Sequence, residues 1–122
     1  QDLETLKIPP FTEVYEIDGP YFFGIANKFD DISRRTHSDE QKVRIIRMRK
    51  VSFIDSTGIH NLEQLYMRLQ RDGIQLVLSG VNEKVFNTLD KAGLVNKIGR
   101  ENVRNHINGA LARAEEIVKS GD

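Results

Sequence analysis

The chain contains no cysteine, only three prolines, and no excess of either charge, with 18 Lys and Arg against 18 Asp and Glu. Without cysteine there are no disulfides, no thiolate metal ligands and no thiol nucleophile. Charge balance removes any overall electrostatic pull toward nucleic acid or an anionic membrane, while leaving local basic patches open. No apolar run approaches the roughly 18 residues that span a bilayer. The opening QDLETLKIPP lacks a signal-peptide pattern. Gln1 is not an initiator residue, so the sequence reads as a fragment, and a membrane role would come from sequence outside it. No G-x-G-x-x-G, Walker loop or G-x-S-x-G elbow occurs.

What is present is one domain's worth of chain, 122 residues with 39% hydrophobic and 30% charged, an ordinary globular balance. Residues 1–10 read as a linker closed by Pro9-Pro10, and 11–120 as the domain. TEVYEI (12–17) alternates as a half-buried strand does, Asp18-Gly19 is a turn signal, and Tyr21-Phe22-Phe23 reads as the returning strand of a hairpin. Ile25, Ala26, Phe29 and Ile32 share a helical face ending near Arg34-Arg35, and THSDEQ (36–41) is a loop. VRIIRM (43–48) is β-branched and apolar enough for a central strand. Ile59, Leu62, Leu65, Tyr66 and Leu69 mark the next helix, with Gly73 as its C′ residue and Ile74 placed for the accompanying contact.

QLVLS (75–79) is another strand, followed by Asn82 as an N-cap with Val81 and Phe86 at hydrophobic-staple spacing. That helix carries Val85, Phe86 and Leu89 to Gly93-Leu94. A short strand is weakly signalled near Lys97–Gly99, and a last helix over about 102–118 aligns Val103, Ile107, Ala110, Leu111, Ala114, Ile117 and Val118. The order predicts an α/β domain: an opening β-hairpin, then alternating α and β, in a mixed four- to five-stranded sheet with about four helices and right-handed crossovers.

The most informative segment is VSFIDSTGIHNLEQL (51–65), read as a strand running into Asp55-Ser56-Thr57-Gly58 with a helix starting at once. Such a turn needs a residue allowing close approach, which Gly58 supplies, and side chains to cap free amides, which Asp55, Ser56 and Thr57 carry. A helix N-terminus also suits a phosphate or other anion. Two readings fit these residues equally in chemistry: a well-capped turn, or an exposed hydroxyl available for phosphorylation or for an anion or partner contact.

FIDSTGI (53–59) resembles the signature turn of the STAS domain, shared by bacterial anti-sigma-factor antagonists and the tails of SulP anion transporters. GPYFFGIANKF (19–29), IIRMRKVSFID (45–55) and Thr57-Gly58-Ile59-His60 with Leu62 are similar to the SulP branch, and the likeness covers roughly residues 11–95 in the family's order. The resemblance implies a STAS fold. It also implies a cytoplasmic C-terminal domain of a secondary transporter for sulfate, bicarbonate or dicarboxylate, at the inner face of the membrane. Its role would be regulation, assembly and docking rather than catalysis. Implied partners are the transmembrane domain of the same polypeptide, a cytosolic regulatory protein and a second copy, with no nucleic acid. No cofactor is implied beyond a candidate nucleotide. In the antagonists the serine after the aspartate is the phosphorylated switch, and Ser56 holds that position. A free-standing switch of that kind is the alternative reading.

Other residues have bland and functional readings side by side. Arg44, Arg47, Arg49 and Lys50 crowd one strand and its exit, near Arg34-Arg35 in sequence order. They would contact phosphate, lipid headgroup or an acidic partner, or else pair with carboxylates and snorkel. His37, His60 and His106 have no zinc spacing. Ser56 and His60 are placed four apart like a nucleophile and base, yet lack an oxyanion arrangement. Asp30-Asp31 and Glu115-Glu116 diverge around their helices and read as solvated charge. Alternation sends one of Phe22 and Phe23 to the core and leaves the other as a docking candidate.

Overall fold

Val43–Arg47 (β2) lies at the centre of the sheet because its side chains are buried on both faces. The computed structural model describes residues 7–17 and 41–120. Within them β1 (Thr12–Glu16), β2 and β3 (Gln75–Ser79) form a parallel sheet in the order β1-β2-β3. Thr12 pairs with Val43 and Gln75 with Val43, so the three strands start level. The helices are α1 (Ser56–Arg71), α2 (Glu83–Lys91), α3 (Leu94–Ile98) and α4 (Ile107–Ser120), with a 3-10 turn at Arg100–Asn102.

The pleat divides the core in two. Ile46, Met48, Leu76 and Leu78 point to one face and pack with Leu62, Leu65 and Leu69 of α1, Val85 and Leu89 of α2, and Leu94, Val95 and Ile98 of α3. Val43, Ile45 and Val77 point to the other, beneath Ile107, Ala110, Leu111 and Ala114 of α4. A parallel strand covered on both faces reads as a continuous apolar run, as VRIIRM and QLVLS do. Burying each such Leu or Ile contributes about 1.5–3 kcal/mol.

The end of α1 follows its sequence closely. Gly73 takes φ +77, its N–H donates to Gln70 O at 3.1 Å, and Ile74 N–H donates to Leu69 O at 2.8 Å, the paired bonds of a Schellman stop. Ile74 then packs on the larger core. Asn82 Oδ1 accepts from Val85 N at 2.7 Å, capping α2 as its residue type and spacing predict.

One expectation lies beyond what the structure describes, and three change. The returning strand with Phe22 and Phe23, and the helix over 25–35, fall outside the described residues, and every described strand pairing is parallel. Residues 51–55 are not a strand: β2 ends at Arg47, and Val51 N–H bonds back to Met48 O across a turn at Arg49 and Lys50. Lys97–Gly99 is not a strand either, since Leu94–Ile98 coils into α3 and Gly99 closes it at φ +107. Finally, α4 begins at Ile107 rather than near 102, because Val103 is drawn to the sheet edge in a parallel bridge with Leu78. Arg104 N–H donates to Leu78 O and Val81 N–H to Arg104 O, so Arg104, which would extend the helix, spends both its N–H and its carbonyl on the end of β3 and the residues after it.

Candidate functional site

Asp55 starts α1 from extended backbone, φ −103 and ψ −176, and its Oδ1 accepts from Gly58 N at 2.9 Å. Its carbonyl accepts from Ile59 N at 2.9 Å. Of the three residues able to cap, Asp55 does so, which leaves Ser56 and Thr57 exposed in the first turn. Gly58 is buried, and a Cβ there would lie 2.8 Å from Cγ1 of Ile54, itself 5% exposed. The glycine is needed because the helix start presses on the Ile54 side chain, not for an unusual dihedral. The turn therefore holds two hydroxyls outward on a rigid base. Phe53 joins them at the surface, 37% exposed.

The cationic strand resolves into pairs. Glu13 faces Arg44 and Glu16 faces Arg47 in the β1–β2 register. Arg44 Nε and Nη2 donate to Glu13 Oε1 at 3.2 and 3.0 Å, and its guanidinium lies 5.3 Å from the Tyr15 ring centre. Glu16 gathers Arg47 at 3.9 Å, Arg49 at 3.2 Å and Lys50 at 3.5 Å. Partial burial on its own would raise the Glu16 pKa. The Arg49 hydrogen bond and the charges of Arg49, Lys50 and Arg47 outweigh it and hold the carboxyl below its ordinary range. Arg44 and Arg47 are buried, whereas Arg49 and Lys50 are exposed. These contacts fasten β1 to the exit of β2 before they offer anything to a ligand.

The structure brings Arg47, Arg49 and Lys50 together at Glu16 at the carboxyl end of the sheet, while Asp55, Ser56, Thr57 and Gly58 form a separate turn at the head of α1. His60 is exposed on α1, and His106 Nδ1 accepts from Asn108 N at 3.1 Å, so both read as surface residues. Among the described residues no group of three His, Asp or Glu side chains is placed to hold a metal ion. No described helix is long and apolar enough to cross a membrane.

Asn102 carries more structural weight than the sequence signals. It is 3% exposed, its Nδ2 donates to Ile98 O at 2.8 Å and its Oδ1 accepts from Arg113 Nε at 2.7 Å. Gly99 makes room for it, since a Cβ at that position would lie 2.6 Å from the amide nitrogen. The only local hint is an Asn-Val step after Gly99 that interrupts the apolar period. Tyr66 likewise ties α1 to α3 by donating to Lys97 O at 2.8 Å.

Comparison with known proteins gives a consistent result. The family model of the STAS domain matches residues 4–110. A crystal structure of a sulfate transporter family protein from Wolinella succinogenes superimposes with a TM-score of 0.86 at 36% identity, covering 97% of this chain and 96% of that one. The STAS domain of a SulP transporter from Vibrio cholerae gives 0.81 at 32% identity, covering 93% and 88%. Sulfate transporter 1.2 of Arabidopsis thaliana is 33% identical over 98 residues, which span 71% of this chain but 15% of the transporter. With the Asp-Ser-Thr-Gly turn at the head of α1 and the parallel sheet covered on both faces, the chain belongs to the STAS domain family, in the branch found in SulP-type sulfate transporters.

Proposed function

We propose that this domain is the cytoplasmic, C-terminal STAS domain of a SulP-type secondary anion transporter, serving regulation, assembly and protein docking rather than catalysis. The observation that carries this reading is that relatives named as sulfate transporters match it over a small part of their own length, 15% in the Arabidopsis case. The domain lies against the transmembrane part of the same polypeptide, and the transported anion binds there. Exposed Ser56, Thr57 and Phe53 beside the α1 start, with Arg49 and Lys50 at the exit of β2, are the side chains offered to a cytosolic partner or a second copy. A nucleotide phosphate would have to compete with Glu16 for Arg47, Arg49 and Lys50, which weighs against it.

The test is anion uptake and surface level of the parent transporter with and without residues 11–120. Impaired uptake or surface level, with no tight sulfate binding by the domain alone, is the expected result. Wild-type uptake at wild-type surface level after a clean deletion would sink the proposal.

A second reading rests on the exposed Ser56 hydroxyl, a phosphoacceptor placed at a helix start. Phosphorylation there adds about two negative charges and would change partner binding. Mass spectrometry of the protein from resting and stressed cells tests this, and absence of a Ser56 phosphopeptide in both removes it.

A further inference from the structure

We propose that Asn108-Gly109, at the start of α4, is a site of self-modification, where the asparagine converts through a cyclic imide to aspartate and isoaspartate. Asn108 is the only asparagine in the chain followed by glycine. It is exposed, and Gly109 is half-buried. Glycine has no side chain to keep its backbone nitrogen away from the carboxamide carbon of the residue before it. The fold does not require the glycine for its own geometry. Gly109 is not among the glycines at positive φ, and a Cβ there would lie 3.7 Å from Cβ and Cδ of Arg104, an ordinary contact.

The first turn of α4 leaves the reaction room. Ala110 N–H donates to His106 O at 3.2 Å and Asn108 N–H to His106 Nδ1 at 3.1 Å, whereas the Gly109 N–H has no acceptor among the described residues. In a closed helical turn the carboxamide carbon and the next nitrogen are not aligned, so the reaction passes through opening of this turn, which a glycine makes easier. The Gly109 nitrogen gives its proton to hydroxide and bonds to Asn108 Cγ. The Cγ–Nδ2 bond breaks, and Nδ2 takes a proton from water and leaves as ammonia. Partial positive charge at the helix N-terminus favours both the nitrogen anion and the oxyanion that follows. Water then opens the imide, at the side-chain carbonyl to give aspartate or at the backbone carbonyl to give isoaspartate. The two products act oppositely on α4. Its first turn holds no acidic residue, so aspartate adds a negative charge where the helix field favours one. Isoaspartate routes the backbone through an extra methylene and breaks the helical repeat between Ile107 and Ala110, which are buried against the sheet. The proposal is independent of the transporter reading.

The test is incubation of the folded chain at mildly alkaline pH, followed by trypsin, which cuts after Arg104 and Arg113 and releases residues 105–113. Against an unincubated sample, fragment masses should show the amide-to-acid gain on Asn108 and not on Asn105, in two products separable by chromatography. Gly109→Ala has room for its methyl group and favours the helix, so it should fold and lose the signal over the same incubation. An unmodified Asn108, modification confined to chain held in denaturant, or equal modification of Asn105 would overturn the proposal. So would an unchanged rate in Gly109→Ala whose circular dichroism matches the wild type.

Discussion

A single methyl group at residue 58 is enough to disturb the start of α1. Gly58→Ala would place a carbon 2.8 Å from Ile54 Cγ1 inside a packed core, so one side must move. The expected cost is about 1–3 kcal/mol, seen as a lowered midpoint in denaturant titration. Asp55→Ala removes the cap on Gly58 N and should cost about 1 kcal/mol by the same titration, whereas Ser56→Ala should be near neutral. That contrast separates the capping residue from the exposed hydroxyl beside it. Glu16 yields a pH prediction. Its folded pKa lies below the ordinary value of 4.5, so its contribution is fully present above that value and is lost as pH falls through the folded pKa. Glu63, held down first by the Lys97 hydrogen bond and then by its charge, adds in the same direction from a more exposed position than Glu16. Stability measured from neutral pH downward should fall more steeply below about pH 4.5 in the wild type than in Glu16→Gln. Parallel curves for the two proteins would show that Glu16 is not the coupled group.

At the scale of elements, α4 lies close to the sheet because its inward positions include Ala110 and Ala114, both fully buried. Ala114→Leu should overpack that contact and cost about 1–3 kcal/mol, read from thermal melts. The apolar period of α4 was legible from Ile107 onward, but its start was not. Val103 fits the helical face in sequence, and only its bridge to Leu78 takes it out of the helix. The same competition explains α3. Leu94, Val95 and Ile98 are all buried, and a five-residue helix satisfies more amides there than an isolated strand would. By contrast, the stop of α1 and the start of α2 were readable because Gly73 and Asn82 act through bonds only a few residues long.

For the molecule as a whole, the central place of β2 predicts its dynamics. Its amides are paired on both sides and covered on both faces, so they should exchange with deuterium most slowly, near the global unfolding free energy. Faster exchange in β2 than in α4 would contradict this layering.

The sequence by itself determined the α/β class, the central strand, the Asp55–Gly58 turn and the family, since each is written in periods, caps and a short contiguous motif. Only the tertiary structure decided the functions of the charged residues. Arg44 and Arg47 read as a basic stripe until the register set Glu13 and Glu16 opposite them, 31 residues away in each case by the pairing of Glu13 with Arg44 and Glu16 with Arg47. Likewise, nothing local distinguishes Val103 from a helical residue. Its role depends on β3, which reaches it only after the chain has folded. Local geometry is encoded within a turn or two, whereas pairing and exposure are settled by long-range contacts that no short window of sequence contains.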